Sequence, residues 1–129
     1  SPAMAWAVMA MMGNSLNRPS LRISRVAVYD LKLIGYYAIE KSTENEYELA
    51  ALFVEPAFIG KGVGKALIDH AKRRVIELGG KTLLIQSDPN AEKFYQALGG
   101  KPIGTRESGS IPGRNLPLFI IELANKDDL

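Results

Sequence analysis

The fold is decided by the stretch in which Tyr47-Glu-Leu-Ala-Ala-Leu-Phe-Val54 is followed by a glycine-rich loop, Gly60-Lys-Gly-Val-Gly-Lys65. The first run is apolar almost throughout, which is typical of a central strand covered on both faces. From Val63 to Leu78, apolar residues recur every three or four positions, which predicts an amphipathic helix. Residues 82–86 then predict a short buried strand. Such a strand–helix–strand unit is parallel and right-handed in nearly all proteins.

The segments on either side of this unit predict antiparallel strands. Residues 22–29 and 33–40 lie on either side of a short turn, which indicates a β-hairpin. Downstream, residues 102–106 and 116–123 predict two further strands that are joined by a loop rich in glycine and proline. The chain is therefore predicted to be an α/β domain with antiparallel flanks around its parallel unit.

Two further helices are predicted outside the central unit. Ala3 to Met12 consists of good helix formers and ends at Gly13-Asn14, a plausible helix stop. Asp88-Pro-Asn90 precedes a second segment, Ala91 to Leu98, which ends at paired glycines. Because the first helix is apolar on nearly every side, we expect that it either packs under the sheet or is the end of a helix whose beginning is absent.

Length and composition exclude several classes of protein. The 129 residues suffice for one domain, 1–129. The absence of cysteine excludes disulfides, thiolate metal sites and a cysteine nucleophile, and a single histidine cannot build a multi-histidine zinc site, so no metal is expected. A net charge of +2 is too small to indicate nucleic-acid binding. No apolar stretch is long enough for a membrane span and no signal peptide is evident, so a cytoplasmic location is expected.

The glycine-rich loop predicts an anion site. Glycine permits positive φ and close approach of the main chain to a ligand, and the helix that follows offers unpaired N–H groups. Lys61 and Lys65 would add positive charge. A Walker A loop is excluded, because Gly60 stands one position too close to the second glycine and Ala66 replaces the hydroxyl residue. A Rossmann fingerprint is disfavoured, because Leu67 replaces its third glycine. A pyrophosphate loop for coenzyme A is the remaining interpretation.

Two motifs resemble the GNAT superfamily of N-acetyltransferases: Ile59-Gly-Lys-Gly-Val-Gly64 and Asn90-Ala-Glu-Lys-Phe-Tyr-Gln-Ala-Leu-Gly99. The resemblance covers roughly Val26 to Leu123. It implies a mixed, mostly antiparallel sheet whose middle strands splay apart at a bulge. Ile59 departs from the polar Gln or Arg of the family motif. Only about one helix precedes the hairpin, so the first strand and first helix of the family are expected to be missing.

The resemblance also implies an activity and a set of ligand-binding residues. The activity is acetyl transfer from acetyl-CoA, a co-substrate, to a primary amine by direct attack, with no metal. The groups expected to bind acetyl-CoA are the main chain of β-strand residues Leu52, Phe53 and Val54, the loop residues Gly60, Lys61, Gly62, Val63, Gly64 and Lys65, and the side chain of Asn90. Tyr95 is expected to protonate the departing thiolate.

The reaction also needs a base, because a lysine-like ammonium has a pKa near 10.4 and only the neutral amine is nucleophilic. Glu48 lies on the central strand eleven residues before Ile59, an offset at which some family members carry the base. We expect its half-buried setting to raise its pKa. Glu46 and Glu55 are the other candidates.

Each of these side chains also has a purely structural interpretation. Glu48 could be a salt-bridge partner, Tyr95 could pack its ring under the sheet, and Asn90 could cap the second helix. Arg114, in the loop before the last strand, could recognise an acidic acceptor or anchor the loop to a carboxylate.

Alternatives also remain at the level of the whole chain. A catalytically silent acyl-CoA-binding or regulatory module of the same fold is the second hypothesis, which the departure at Ile59 favours. The expected partners are a small-molecule or peptide amine, with no nucleic acid and no membrane. A homodimer is predicted, because the apolar leading segment and the missing first strand would leave surface to be covered.

Overall fold

The computed structural model describes residues 5–15, 18–29 and 32–123, with side chains described from residue 33 onward. This part of the chain forms one seven-stranded sheet and two α-helices. The strands are β1 (Ala5–Ser15), β2 (Arg18–Tyr29), β3 (Lys32–Lys41), β4 (Glu46–Val54), β5 (Thr82–Gln86), β6 (Lys101–Glu107) and β7 (Asn115–Glu122). The helices are α1 (Val63–Glu77) and α2 (Glu92–Ala97), and short 3-10 turns occupy Pro56–Phe58 and Pro89–Ala91.

The strand order is β1-β2-β3-β4-β5-β7-β6, and all neighbours are antiparallel except β4 and β5. The predicted mixed, mostly antiparallel sheet is therefore confirmed, with α1 as the crossover between the two parallel strands. The β2–β3 hairpin and the final strands β6 and β7 also lie where the sequence indicated. In the described part of the chain, no helix is long and apolar enough to cross a membrane.

The middle strands splay apart, as the fold class predicted. β4 pairs with β5 only at Glu46–Glu48, opposite Thr82–Leu84. Against β3, the register of β4 shifts between Ala38 and Ile39, which leaves Ala50 as the extra residue of a bulge. A bulge bends its strand and ends regular pairing. The remainder of β4 therefore has a free edge on its β5 side among the described strands.

The predicted leading helix is wrong, because Ala5–Ser15 is the strand β1. It pairs antiparallel with β2 along its whole length, from Ala5 opposite Val28 to Ser15 opposite Arg18. The helix preference of Ala and Met over other residues is only a few tenths of a kcal/mol per position, roughly, and is a weak guide. Pairing with a neighbouring strand satisfies the same main-chain groups and overrides that preference. Residues 3 and 4 of the predicted helix lie outside the described residues.

The core lies between α1 and the face of the sheet that α1 covers. The inward stripe of α1 is buried at Leu67, Ile68, Ala71 and Val75, each 0 % exposed. The strands contribute Tyr37, Ile39, Leu83, Ile85 and Phe119 to the same cluster. Burial of a side chain the size of Leu67 contributes about 1.5–3 kcal/mol. This packing fixes the position of the first turn of α1 relative to β4.

Candidate active site

The first turn of α1 presents main-chain donors that nothing in the described structure occupies. Gly62 is the N-cap residue and makes no side-chain capping bond. The first bond of the helix runs from the Ala66 N–H to the Gly62 carbonyl at 3.0 Å. Within the described residues, no group accepts a hydrogen bond from the N–H groups of residues 62–65. These donors and the positive end of the helix dipole form an anion-binding arrangement.

The loop conformation requires glycine at two positions. Gly60 and Gly62 have φ values of 82° and 84°, in the left-handed region that other residues rarely adopt. A Cβ at either position would meet no atom within 4 Å, so open space lies in front of the loop. Gly64 differs, because its Cβ would lie 3.2 Å from Cζ of Phe94 on α2. The third glycine thus lets α2 approach the start of α1.

The two lysines of the loop contribute unequally. The ammonium of Lys61 lies 5.4 Å from the centre of the Phe58 ring, a cation–π contact beside the loop. Lys65 turns along the helix, where its Nζ lies 2.7 Å from an oxygen of Asp69. Since Asp69 offsets the charge of Lys65, the positive potential at the loop comes mainly from Lys61 and the helix start.

The free edge of β4 connects this loop to a cleft in the sheet. Leu52, Phe53 and Val54 pair with β3 on one side only. The cleft, of about 470 Å³, opens where the pairing of β4 with β5 ends. Its lining residues come from β4, β5, β6 and the loop after β6: Glu48, Leu49, Ala50, Gln86, Arg106, Glu107 and Gly109. Leu52–Val54 therefore lie on the same strand between this loop and the cleft, whose lining on β4 reaches Ala50.

Glu48 forms a bidentate ion pair with Arg106. Its two carboxylate oxygens lie 3.1 and 2.7 Å from Nη1 and Nη2 of Arg106, whose Nε donates to Gln86 at 2.6 Å. The side chains are 28 % and 40 % exposed, so the pair faces the cleft. The hydrogen bond to Glu48 raises the pKa of the Arg106 guanidinium. The salt-bridge interpretation of Glu48 is confirmed, and its role as a base remains a prediction.

Tyr95 has a buried ring. The ring packs edge-on against Phe94, 5.0 Å between centres, and lies 6.4 Å from Phe119. Burial raises the pKa of the phenol above 10.0, and the negative charge of Asp88 adds to the effect. The ring therefore packs under the sheet, as one interpretation held. The hydroxyl makes no hydrogen bond within the described part of the chain, and it reaches the molecular surface, since it is not among the buried atoms without a partner.

Asn90 does not cap the second helix. Asp88 caps the preceding turn, and its carboxylate accepts from the Asn90 N–H at 2.8 Å. The N-cap position of α2 itself is Ala91. The exposed side-chain amide of Asn90 makes no hydrogen bond to the described residues, which leaves it available to a ligand.

The family follows from a comparison with known protein families. The model of the acetyltransferase (GNAT) domain matches residues 12–109, about three quarters of the chain. The chain belongs to the GNAT family. The matching model describes an acetyltransferase domain.

Individual relatives agree with this assignment. The chain is 32 % identical over 99 residues to N-acetylaspartate synthetase of Danio rerio, a match that covers 68 % of this chain and 33 % of that protein. It thus spans about a third of that relative. An aminoglycoside 6'-N-acetyltransferase complexed with coenzyme A has a TM-score of 0.73 at 18 % identity, over 81 % of this chain and 74 % of that one. A GNAT family acetyltransferase from Elizabethkingia anophelis with acetyl-CoA bound has a TM-score of 0.71 at 19 % identity, over 79 % and 76 %. The two structures show the same fold.

The other acidic candidates of this GNAT domain lie differently. Glu46 accepts a hydrogen bond from the Ser42 hydroxyl at 2.7 Å. Glu55 follows the end of β4, and its N–H donates to the Ile34 carbonyl at 2.8 Å. Glu48 alone among the three lines the 470 Å³ cleft. In the described part of the chain, no group of three or more His, Asp or Glu residues could hold a metal ion.

Arg106 on β6 was not predicted as a functional residue, because the sequence indicated only that it lies in a strand.

The loop between β6 and β7 is held mainly by main-chain groups. Arg114 anchors the loop through its main chain, since its carbonyl accepts from the Ser108 N–H at 2.7 Å. Its guanidinium is exposed and meets no carboxylate among the described side chains. Instead, Glu107 holds the loop by accepting from the Gly113 N–H at 2.7 Å.

Proposed function

We propose that this GNAT domain transfers an acetyl group from acetyl-CoA to a primary amine by direct attack. The observation that carries the proposal is the start of α1, whose N–H groups have no acceptor among the described residues, together with the free edge of β4. Acetyl-CoA needs anion donors for its diphosphate and main-chain partners for its amide-containing arm. The N–H groups at the start of α1 and the free edge of β4 can meet these two requirements. Glu48 lines the cleft where β4 and β5 separate.

The chain supplies a donor or acceptor for each part of acetyl-CoA. The diphosphate would accept hydrogen bonds from the N–H groups of the loop and first helical turn, Gly60, Gly62, Val63, Gly64 and Lys65. Lys61 would contribute its ammonium, because its main-chain N–H already donates to the Phe58 carbonyl at 3.2 Å. The free edge of Leu52–Val54 would pair with the arm as an added strand does. The side-chain amide of Asn90 would complete the contacts. Acetyl-CoA itself supplies an acetyl group that is activated as a thioester.

Glu48 and Tyr95 would carry the two proton transfers. The acceptor arrives as an ammonium ion, and the Glu48 carboxylate takes one of its protons, which releases the nucleophilic lone pair. The Tyr95 hydroxyl donates its proton to the departing thiolate. The phenolate regains, through water, the second proton that the nitrogen loses as the amide forms, and Glu48 releases its proton to solvent. The raised pKa of Tyr95 keeps its hydroxyl proton in place at neutral pH. The positioning of the amine in a cleft supplies the remainder of the rate.

An acyl-CoA-binding module without turnover is the second candidate. The observation that favours it is the engagement of both Glu48 oxygens by Arg106. The exposed Ile59 also removes one polar contact that the family motif provides near the diphosphate. This module would bind acetyl-CoA with the same residues and would leave every amine unchanged.

Calorimetry with acetyl-CoA and a thiol-release screen of primary amines separate the two candidates. The transferase binds acetyl-CoA and releases coenzyme A with at least one amine. Tyr95→Phe retains binding and loses turnover by roughly 100-fold, because it lacks only the hydroxyl. Tight binding without release across the panel favours the module. A folded sample with no detectable binding of acetyl-CoA refutes both.

A further inference from the structure

We infer that Arg106 is a positioning residue for the reaction, which fixes the orientation of the Glu48 carboxylate at the point where β4 and β5 separate. The inference rests on the proposed function, since Arg106 would position Glu48 as the base of that reaction. It concerns a residue on the far strand of the sheet, for which neither motif of the sequence provides a role.

The side chain of Arg106 spans the gap where β4 and β5 diverge. β6, which carries Arg106, is separated from β4 by β7 and β5 in the strand order. The guanidinium nevertheless reaches Glu48, at 2.7 and 3.1 Å, and Gln86, at 2.6 Å. Glu48 belongs to the last residue pair of β4 with β5, and Gln86 is the last residue of β5. A single side chain thus bridges the two strands where their main-chain pairing has ended.

The charges around Glu48 explain why a cation is needed there. The charged groups that face it come from three strands: Glu40 and Lys41 of β3, Glu46 of β4, and Glu107 and Arg106 of β6. Glu40 stands directly opposite Glu48 in the β3–β4 register, and like charges so placed repel each other. Lys41 forms no ion pair with Glu48. Among the described side chains, Arg106 is therefore the cation that offsets three neighbouring carboxylates.

The ion pair does not prevent Glu48 from accepting a proton. A carboxylate has about four acceptor positions, and a bidentate guanidinium takes two of them. The remaining two face away from Arg106, so a bound ammonium can still donate to the same group. The fork of an arginine also fixes the plane of the carboxylate, which a lysine cannot do. Arg106 would therefore set the orientation of the base.

The test separates kcat from KM in the thiol-release assay, with the best amine of the screen. For Arg106→Gln we expect kcat to fall roughly tenfold while the KM for acetyl-CoA stays as in wild type, because the base loses its orientation and the loop before α1 is untouched. Arg106→Lys should also lower kcat, because an ammonium cannot hold the plane of the carboxylate. Lys101→Gln is the matched control: it removes an exposed ion pair with Glu122, 3.3 Å, from the same strand.

The outcomes separate this inference from the proposed function. A wild-type protein without turnover refutes the proposed function; 13C relaxation of the Glu48 side chain in wild type and Arg106→Gln then decides the inference, since loss of the ion pair should make the carboxylate more mobile. An unchanged kcat in a folded Arg106→Gln variant, or the same fall in Lys101→Gln, would overturn it. So would unchanged relaxation of the Glu48 side chain in a folded Arg106→Gln variant. If that variant does not fold, the comparison of Arg106→Lys with wild type decides, and an unchanged kcat contradicts the inference.

Discussion

Gly62→Ala separates the conformational role of the loop glycine from its role in binding. Gly62 has φ of 84°, and a Cβ there meets no atom within 4 Å, so the substitution causes backbone strain without a clash. The strain is about 1–2 kcal/mol, which lowers the melting temperature by roughly 4–8 °C. The added methyl occupies the open space that the diphosphate needs. The loss of one charge-assisted hydrogen bond, about 1.5–3 kcal/mol, weakens coenzyme A binding roughly tenfold to 100-fold.

The other end of α1 offers a matched control. Gly79 follows the helix, has φ of 86°, and also has no atom within 4 Å of an added Cβ. Gly79→Ala should therefore lose the same stability as Gly62→Ala and bind coenzyme A like wild type. Thermal melts measure the first quantity and titration calorimetry the second. Equal affinities in the two folded variants would refute the assignment of the helix start to the diphosphate.

Four further expectations can be measured independently. Asn90→Ala should weaken coenzyme A binding several-fold and leave the melting temperature within about 1 °C, because its side chain makes no bond in the described structure. Gly80→Ala should lower the free energy of unfolding by about 1–3 kcal/mol, because its Cβ would lie 2.8 Å from Cδ1 of Tyr47; an unchanged denaturation midpoint contradicts this. The folded state holds the Tyr95 proton more tightly than the unfolded state, so its contribution to stability is intact below pH 10.0 and declines above it; Tyr95→Phe should lose less stability between neutral pH and pH 11 than wild type. Light scattering should give the mass of a homodimer, and a monomer at high concentration would count against that prediction.

The central unit could be predicted from the sequence because its signals are local. The spacing of apolar residues along α1 and the glycines before it depend only on neighbouring positions. β4 and β5 followed from the same unit, since parallel strands need a crossover. Ala5–Ser15 could not be predicted in the same way, because Ala and Met favour a helix locally and only pairing with the distant Arg18–Tyr29 makes the segment a strand.

The candidate site was predictable where the main chain forms it and much less so where side chains from distant strands meet. Glycines in the loop indicated an anion site directly. By contrast, Glu48 and Arg106 are 58 positions apart in the chain, and they meet only because β7 pairs between β5 and β6. No local pattern specifies that strand order. A local pattern also did not show that Asp88, rather than Asn90 two residues later, accepts the capping hydrogen bond.

A binding site made of main-chain N–H groups depends on backbone conformation far more than on the identity of the surrounding side chains. In this domain that shape is set by two glycines and by the burial of one helix face. Substitutions on the walls of the cleft between β4 and β5 would therefore leave the proposed acyl-donor site at the start of α1 intact. Selection on such a scaffold can exchange one acceptor for another while the acyl donor stays the same.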